Sequence, residues 1–296
     1  MYVLDGALGI ELDKLTPIRG TPLWAGHAVE ESPDIVRQVH SRYIQAGCDI
    51  VSTATYQMSY QALRQTDHDD AGTTAAWKAA VDVVVQARDG AGVDRKILIA
   101  GTIGPYGCFV NDGSEYTGNY TDSPTAEWLA AHHRPLVEFL EKNGDVDVIA
   151  FETVPSAVEL EAIVALDVQK PYWVSLCVNS SMDLVACAAV LRRCNSSLVA
   201  VGVNCVEYSK VSGYLEALSA VGVPLIAYPN YGYIYSQEDG YADLSDLGAW
   251  ETAVAEWMKF DMWAIGGCCG TGAEEVSVVR EAASRCQSAG FTPGIV

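Results

Sequence analysis

The sequence predicts a single-domain α/β protein, a (β/α)8 TIM barrel spanning residues 1–296. Short apolar runs alternate with longer amphipathic stretches, and eight such pairs follow one another along the chain. The apolar runs are rich in Val, Ile, Leu and Ala and show little polar alternation, as expected of parallel strands buried on both faces. A length of 296 residues is ordinary for one barrel of this kind.

The predicted strands are Tyr2–Leu4, Asp49–Thr53, Ile97–Gly101, Asp147–Phe151, Tyr172–Cys177, Leu198–Val203, Val223–Ala227 and Met262–Gly266. The predicted helices are Pro33–Ala46, Ala75–Gly90, Ala126–Asn143, Ala157–Leu166, Met182–Arg193, Val211–Ala220, Leu247–Lys259 and Glu274–Ser288. Several helices begin after a capping residue, as Pro33 does after Ser32. An open doubly wound sheet is the alternative fold, but no G-x-G-x-x-G turn follows the first strand.

The longest loop between predicted elements covers residues 104–123 and is rich in Gly, Asn, Asp and Tyr. A loop of this length in a compact domain is more often functional than a plain connection. We therefore predict that it forms a lid or a binding loop.

The composition excludes several classes of function. A net charge of −20, from 38 acidic and 18 basic residues, argues against nucleic-acid binding. It does not oppose a cationic small molecule, although solubility alone would explain the charge. No apolar run reaches the roughly 18 residues that a membrane span needs. The nine cysteines lack the spacing of a disulfide framework, and no signal peptide precedes the first strand, so we expect a reducing, cytoplasmic location.

Three cysteines lie where strands of the predicted barrel end, the face at which barrel enzymes carry their chemistry. Cys205 follows the sixth strand, and Cys268 and Cys269 follow the eighth. Three thiolates form a soft ligand set that suits Zn²⁺ and can leave its fourth position open. Adjacent cysteines normally point to opposite faces of a strand, so both can bind one ion only if the backbone turns, which flanking glycines permit. The remaining cysteines are interpreted as buried and inert.

Two carboxylates are predicted at the same face. Glu152 directly follows the fourth apolar run and could receive a substrate ammonium, although a structural ion pair would explain it too. Asp5 follows the first strand, and its alternative role is a turn, because Asp-Gly pairs favour turns.

Aromatic residues form the third group at this face: Trp24, Tyr56, Tyr106 and Tyr228. Aromatic faces attract cations, so the group indicates a cationic ligand, whereas each residue alone would be explained by packing. The five histidines are predicted in loops or helices away from the strand ends, which gives no support to a histidine-activated nucleophile.

The motifs in this order resemble the zinc-dependent homocysteine S-methyltransferases, and the resemblance covers nearly the whole chain. The pair Gly202-Val203-Asn204-Cys205 and Gly266-Gly267-Cys268-Cys269 is highly specific. The supporting motifs are Asp5-Gly6-Ala7-Leu8-Gly9-Ile10-Glu11-Leu12, Thr53-Ala54-Thr55-Tyr56-Gln57, Gly104-Pro105-Tyr106-Gly107, Asp112-Gly113-Ser114-Glu115-Tyr116, Phe151-Glu152-Thr153-Val154-Pro155 and Tyr228-Pro229-Asn230.

The resemblance implies a (β/α)8 barrel whose zinc is held by Cys205, Cys268 and Cys269. It implies that Glu152 binds the homocysteine ammonium and that Asp5 lines the same pocket. It also places two further residues close to the metal, Asn204 and Tyr56.

The resemblance also narrows the methyl donor. Cobalamin-dependent methionine synthases carry large additional domains, and the betaine-using enzymes carry a C-terminal extension, neither of which this sequence contains. The chain therefore resembles the enzymes that use the sulfonium compounds S-methylmethionine or S-adenosylmethionine. The implied reaction is methyl transfer to homocysteine, giving methionine with zinc but without cobalamin or folate.

Two segments depart from the family pattern and leave the donor and the acceptor thiol open, namely Tyr231-Gly232-Tyr233 and Gly270-Thr271-Gly272-Ala273. One alternative is a non-catalytic zinc- or thiol-binding paralogue, and another is a methyltransferase acting on a different thiol or selenol. A dithiol redox protein is disfavoured because adjacent cysteines form only a strained ring and no C-x-x-C is present.

Overall fold

The computed structural model describes residues 1–18, 20–231 and 246–285, and the backbone of residues 235–236, 240–241 and 286–287. The strands are β1 Tyr2–Val3, β2 Ile50–Ser52, β3 Leu98–Ile103, β4 Val148–Val154, β5 Tyr172–Leu176, β6 Leu198–Glu207, β7 Leu225–Asn230, β8 Tyr235–Ser236, β9 Gly240–Tyr241 and β10 Met262–Ile265. The helices are α1 Leu8–Asp13, α2 Ala25–Glu31, α3 Pro33–Ala46, α4 Tyr60–Arg64, α5 Asp70–Gly90, α6 Tyr106–Val110, α7 Ser114–Thr117, α8 Ala126–Lys142, α9 Ala157–Leu166, α10 Leu184–Leu191, α11 Val211–Leu218, α12 Leu247–Trp257 and α13 Ala273–Gln287.

Eight of these strands form one parallel sheet in the order β1-β10-β7-β6-β5-β4-β3-β2. A parallel bridge between Leu4 and Ile50 joins the two ends of this sheet, and the Asp5 amide donates to the Ile50 carbonyl at 3.1 Å. The sheet is therefore closed into a barrel, which confirms the predicted fold class. The short strands β8 and β9 form a separate antiparallel pair.

Apolar side chains fill both faces of this sheet. The barrel interior is packed by Leu4, Ile50, Leu98, Ala100, Val148, Ala150, Trp173, Ala200, Ile226, Tyr228, Trp263 and Ala264. A larger apolar layer lies between the strands and the surrounding helices. Burial on both sides explains why the strands show no polar alternation in the sequence.

The observed elements differ from the predicted ones mainly at their ends. Helix α5 begins at Asp70 rather than Ala75, because the Asp69 side chain caps it by accepting from the Gly72 amide at 2.7 Å. Strands β4 and β6 continue past their predicted ends and reach Val154 and Glu207, respectively. The predicted end of the last helix, Ser288, lies outside the described residues.

The predicted loop over residues 104–123 contains two short helices, α6 and α7. No helix in the part of the chain that the structure describes is long and apolar enough to cross a membrane.

Candidate active site

A cavity of about 230 Å³ opens at the C-terminal ends of the barrel strands. Most of the predicted site residues line it: Asp5, Trp24, Tyr56, Glu152, Asn204, Cys205, Tyr228, Cys268 and Cys269. These residues come from strands and loops that are far apart in the sequence, and barrel closure brings them together.

The three cysteines converge at one side of this cavity. The Sγ atoms of Cys205 and Cys268 lie 2.9 Å apart, and Cys205 also hydrogen-bonds with Cys269. The backbone turns that bring them together are visible in the dihedral angles, with φ of +52° at Cys205 and +90° at Gly270. The expected turn beside the adjacent cysteines is therefore present, and glycine accommodates the second of these angles without strain.

Neighbouring polar groups point at the sulfur of Cys205. The Asn204 side-chain amide lies 3.3 Å from this sulfur, and the Thr153 hydroxyl lies 3.7 Å from it. Asn204 is almost fully buried and fixed, because its Oδ1 accepts from the Thr153 amide at 2.7 Å and from the Ser175 hydroxyl at 2.9 Å. Donors that orient a thiol in this way also favour its ionised form.

Among the described residues that line the cavity, no side-chain cation would balance three negative charges on the cluster. Hydrogen bonds with Cys268 and Cys269, together with burial, raise the pKa of the Cys205 thiol well above its usual range. A bound cation is what would hold these sulfurs as thiolates.

Three cysteine sulfurs are ligands that suit a zinc ion. The separation of two of these sulfurs, those of Cys205 and Cys268, is that of thiols in contact. Two thiolates bound tetrahedrally at about 2.3 Å would stand roughly 3.8 Å apart, so the 2.9 Å separation would have to open by about 1 Å. No group of three or more His, Cys, Asp or Glu side chains in the described ranges has the arrangement of a metal site.

Glu152 and Asp5 are surrounded by protein on the wall of the same cavity. Burial raises the pKa of Glu152 to about 8, against the effect of a hydrogen bond with Tyr228, and the charge of Asp5 adds to the rise. Burial also raises the pKa of Asp5 to about 7, although its carboxylate accepts from the Ser52 amide at 2.8 Å and from the Ser52 hydroxyl at 3.0 Å. A cationic ligand would favour the ionised form of both groups.

The predicted aromatic residues have different surroundings. Trp24 and Tyr56 line the cavity, and Tyr56 hydrogen-bonds with Cys108. Tyr228 also lines the cavity but is buried and hydrogen-bonded to Ser175, with the Trp173 ring nitrogen donating to its hydroxyl at 2.9 Å. Its hydroxyl is therefore committed to the wall of the site, and only part of its ring faces a ligand.

Tyr106 does not line the cavity. Its hydroxyl donates to Asp122 at 2.7 Å, and its ring packs edge-on against Tyr120, Trp128 and His132. The structure thus places this residue in an aromatic cluster behind the 104–123 segment. None of the described cavity-lining residues is a histidine, in line with the sequence analysis.

The 104–123 segment contributes cavity residues to which sequence reasoning assigned no role, namely Cys108, Asn111, Glu115 and Tyr116. Two of them belong to the motif Asp112-Gly113-Ser114-Glu115-Tyr116, which was the available signal. The backbone of Glu115 lies directly on Gly107, where a Cβ atom would stand 2.2 Å from the Glu115 amide nitrogen. Only glycine allows this approach.

Sequence analysis also assigned no role to Glu159, whose side chain holds the 104–123 segment in place. It is fully buried on α9, where Oε1 accepts from the Tyr106 amide at 2.7 Å and lies 2.9 Å from Nε2 of His133, and Oε2 accepts from the Tyr120 hydroxyl. In the sequence, Ser156 and Glu159 form an S-x-x-E pattern that indicates a capping box. Only the Ser156 half of that box is present, because the Glu159 carboxylate points to the loop instead.

The two segments that depart from the family pattern have structural roles in their described parts. Tyr231 is buried and hydrogen-bonds with the backbone of Asp246, while Gly232 and Tyr233 lie outside the described residues. Thr271 is buried, and its hydroxyl donates to the Cys268 carbonyl at 2.7 Å. Tyr231 and Thr271 therefore support the cysteine turn from outside the cavity.

The cavity wall is acidic. Its described residues include four carboxylates, Asp5, Asp13, Glu115 and Glu152, and no lysine, arginine or histidine. An enclosed cavity with this lining attracts cations and offers no side-chain cation to an anionic ligand.

A closed parallel barrel with a polar cavity at the C-terminal ends of its strands defines a TIM-barrel enzyme. The profile of the family described as homocysteine S-methyltransferase matches residues 2–283. Homocysteine S-methyltransferase 2 of Arabidopsis thaliana is 31% identical over 297 residues, covering 91% of this chain and 89% of that protein. The chain belongs to the homocysteine S-methyltransferase family and is a methyltransferase.

Two further relatives illustrate the range of this similarity. A selenocysteine Se-methyltransferase of Brassica oleracea is 32% identical, covering 91% of this chain and 85% of that protein. The metallated form of the homocysteine methyltransferase MmuM from Escherichia coli superposes with a TM-score of 0.82 at 29% identity, covering 95% of this chain and 96% of that one.

Proposed function

We propose that the protein transfers a methyl group from a sulfonium donor, S-methylmethionine or S-adenosylmethionine, to the thiol of homocysteine, with zinc as cofactor. The observation that carries this proposal is the convergence of three cysteine thiols beside Glu152 in one acidic cavity. Metal-binding thiols must stay reduced, so we expect the enzyme to act in the cytoplasm.

Cys205, Cys268 and Cys269 would hold the zinc. When bound, the metal supplies a Lewis acid that keeps the homocysteine sulfur ionised at neutral pH. A free thiol of pKa about 8.5 is only a few per cent ionised there, so full ionisation contributes at most about 2 kcal/mol.

The remaining acceleration would come from positioning. Glu152, hydrogen-bonded to Tyr228 and close to Asp5, would bind the homocysteine ammonium and fix its sulfur beside the thiol cluster. Well-oriented reactants can gain about 7–11 kcal/mol over free ones. The homocysteine thiolate then attacks the sulfonium methyl carbon, the bond from this carbon to the donor sulfur breaks, and the donor leaves as a neutral thioether. No general base is required during this transfer, which is compatible with a cavity whose described lining has no histidine.

The charge of the site supports a cationic donor. Trp24 and Tyr56 present aromatic faces, and the described wall contains carboxylates without a basic side chain. Betaine is cationic too, but its quaternary ammonium carries no N–H that the carboxylates of the described wall could accept. A cavity of about 230 Å³ favours the smaller sulfonium, S-methylmethionine.

The test is a labelled transfer with parallel donors. Carbon-13 homocysteine is incubated with zinc-loaded protein and S-methylmethionine carrying deuterated methyl groups, and methionine is analysed by mass spectrometry. We expect methionine bearing both labels, a smaller amount with S-adenosylmethionine and none with betaine. Turnover with betaine alone, or no doubly labelled methionine from either sulfonium, would contradict the proposal. Selenocysteine as a parallel acceptor tests the alternative suggested by the Brassica relative.

A further inference from the structure

Glu115 has a carboxylate oxygen that is buried and has no hydrogen-bond partner. Its Oε2 atom is enclosed by protein, and no described group donates to it. The side chain lines the cavity of the candidate active site. An enclosed acceptor left unpaired destabilises a folded protein, so such a group in a cavity indicates a ligand that completes it.

Two other carboxylates of the cavity, Asp5 and Glu152, already have hydrogen-bond partners. Both oxygens of Asp5 accept from Ser52, and Glu152 hydrogen-bonds with Tyr228. Glu115 therefore differs from Asp5 in offering a buried acceptor oxygen that no described group satisfies.

The structure holds Glu115 at the rim of the strand that carries Glu152. Helix α7 packs on the C-terminal end of β4, where the Asn179 side-chain amide donates to the Tyr116 carbonyl at 3.3 Å and to the Pro155 carbonyl at 2.9 Å. Glu115 is only partly buried, so it lies nearer the mouth than Asp5. A second substrate that enters above homocysteine would meet it.

The residues that line the cavity indicate which kind of group would donate a hydrogen bond to Oε2 of Glu115. A carboxylate oxygen accepts hydrogen bonds, and the described cavity wall has no lysine, arginine or histidine to supply one. A sulfonium centre carries no N–H or O–H and cannot supply one either. The α-ammonium of an amino-acid donor supplies three.

We propose that Glu115 binds the α-ammonium of the sulfonium donor and so makes the enzyme prefer donors with an amino-acid portion. This inference rests on the proposed function and adds the residue that would select among sulfonium donors. Glu152 and Glu115 would then bind the two ammonium groups, with the two sulfur atoms between them.

The test compares two donors in three proteins. Of the two donors, S-methylmethionine has the α-ammonium and trimethylsulfonium lacks it. The three proteins are the wild type, Glu115→Gln and the surface control Glu138→Gln. In Glu115→Gln, kcat/KM for S-methylmethionine should fall by about ten- to a hundredfold, as expected for a lost charge-assisted hydrogen bond. The value for trimethylsulfonium and the KM for homocysteine should stay within about twofold, and Glu138→Gln should match the wild type.

Equal losses with both donors, a changed KM for homocysteine or an unchanged kcat/KM would overturn the assignment. A calorimetric titration of S-methylmethionine into the wild type and Glu115→Gln separates this inference from the proposed function. If the wild type transfers no methyl group, the proposed function fails. Weaker binding by the variant then still supports Glu115 as the ammonium ligand, and equal binding or no binding by the wild type refutes it.

Discussion

Two residues of the site, Thr153 and Cys205, occupy left-handed backbone conformations, with φ of +61° and +52°. For a β-branched threonine this is an uncommon conformation that costs about 1–3 kcal/mol. The contacts that stabilise both turns come from one residue, Asn204, which bonds the backbone and hydroxyl of Thr153 and the sulfur of Cys205. Asn204 therefore acts on the cluster by fixing its geometry.

Single residues also show how far the sequence predicts the site. The cysteines, Glu152 and Asp5 were predictable because each lies within a few residues of the end of an apolar run. The proposed role of Glu115 was not predictable from the sequence, because it depends on an unpaired oxygen, which is a property of the folded structure. Tyr106 follows a strand as well, but its side chain packs behind the loop, and strand-end position does not specify side-chain direction.

At this scale we predict that Glu152→Gln weakens homocysteine binding while leaving zinc content unchanged. The loss of a charge-assisted contact with the substrate ammonium should cost about 1.5–3 kcal/mol, a roughly ten- to hundredfold rise in Kd. Calorimetric titration measures the Kd, with Glu138→Gln as a control that should bind like the wild type. An unchanged Kd would make Glu152 a structural residue only.

The raised pKa values predict a pH dependence of ligand binding. The pKa of Asp5 is near 7 and the pKa of Glu152 is near 8. Both carboxyl groups are therefore largely neutral at pH 6, and they attract an ammonium only as they ionise. Binding should therefore tighten by roughly ten- to a hundredfold as pH rises from about 6 to 8.5. Norvaline, which replaces the thiol by a methyl group, isolates this effect from thiol ionisation. A flat profile for norvaline would contradict it, and Glu152→Gln should flatten the upper part.

At the scale of elements, the 104–123 segment is a predicted loop that is structurally anchored. Its helices α6 and α7 present Cys108 and Glu115 to the cavity, and Glu159 on α9 holds the start of α6. The sequence predicted a lid or binding loop from length and composition. It did not indicate the anchor, because a Glu three residues after Ser156 matches a local capping pattern equally well.

We predict that Glu159→Gln destabilises the protein and loosens this segment. The change replaces one of two carboxylate oxygens that together contact three groups. Buried donors then lose their acceptor, which should lower the free energy of unfolding by about 1–3 kcal/mol for each unpaired group. Thermal unfolding measures the loss, and hydrogen exchange over residues 104–123 should become faster. Glu161→Gln on the same helix is the matched control, because its exposed pair with Arg193 should contribute less than about 1 kcal/mol. Equal effects of the two changes would refute the anchor.

For the whole molecule, barrel closure is the event that creates the site. Cys205 lies near the C-terminal end of β6, and Cys268 and Cys269 lie in the turn after β10, with β7 between the two strands. The alternation of buried strands and helices in the sequence was sufficient to predict this closure. The separation of the sulfurs was not predictable, because it depends on turns at Cys205 and Gly270 and on the ion proposed between them.

Zinc content tests the central claim most directly. Zinc per chain is measured in the purified wild type, in Cys205→Ser and in the control Cys194→Ser, whose cysteine does not line the cavity. The wild type and Cys194→Ser should carry about one zinc per chain, and Cys205→Ser should lose most of it while keeping its far-ultraviolet circular dichroism. Full zinc retention in a folded Cys205→Ser protein, or a wild type that binds no zinc when supplied with it, would contradict the account.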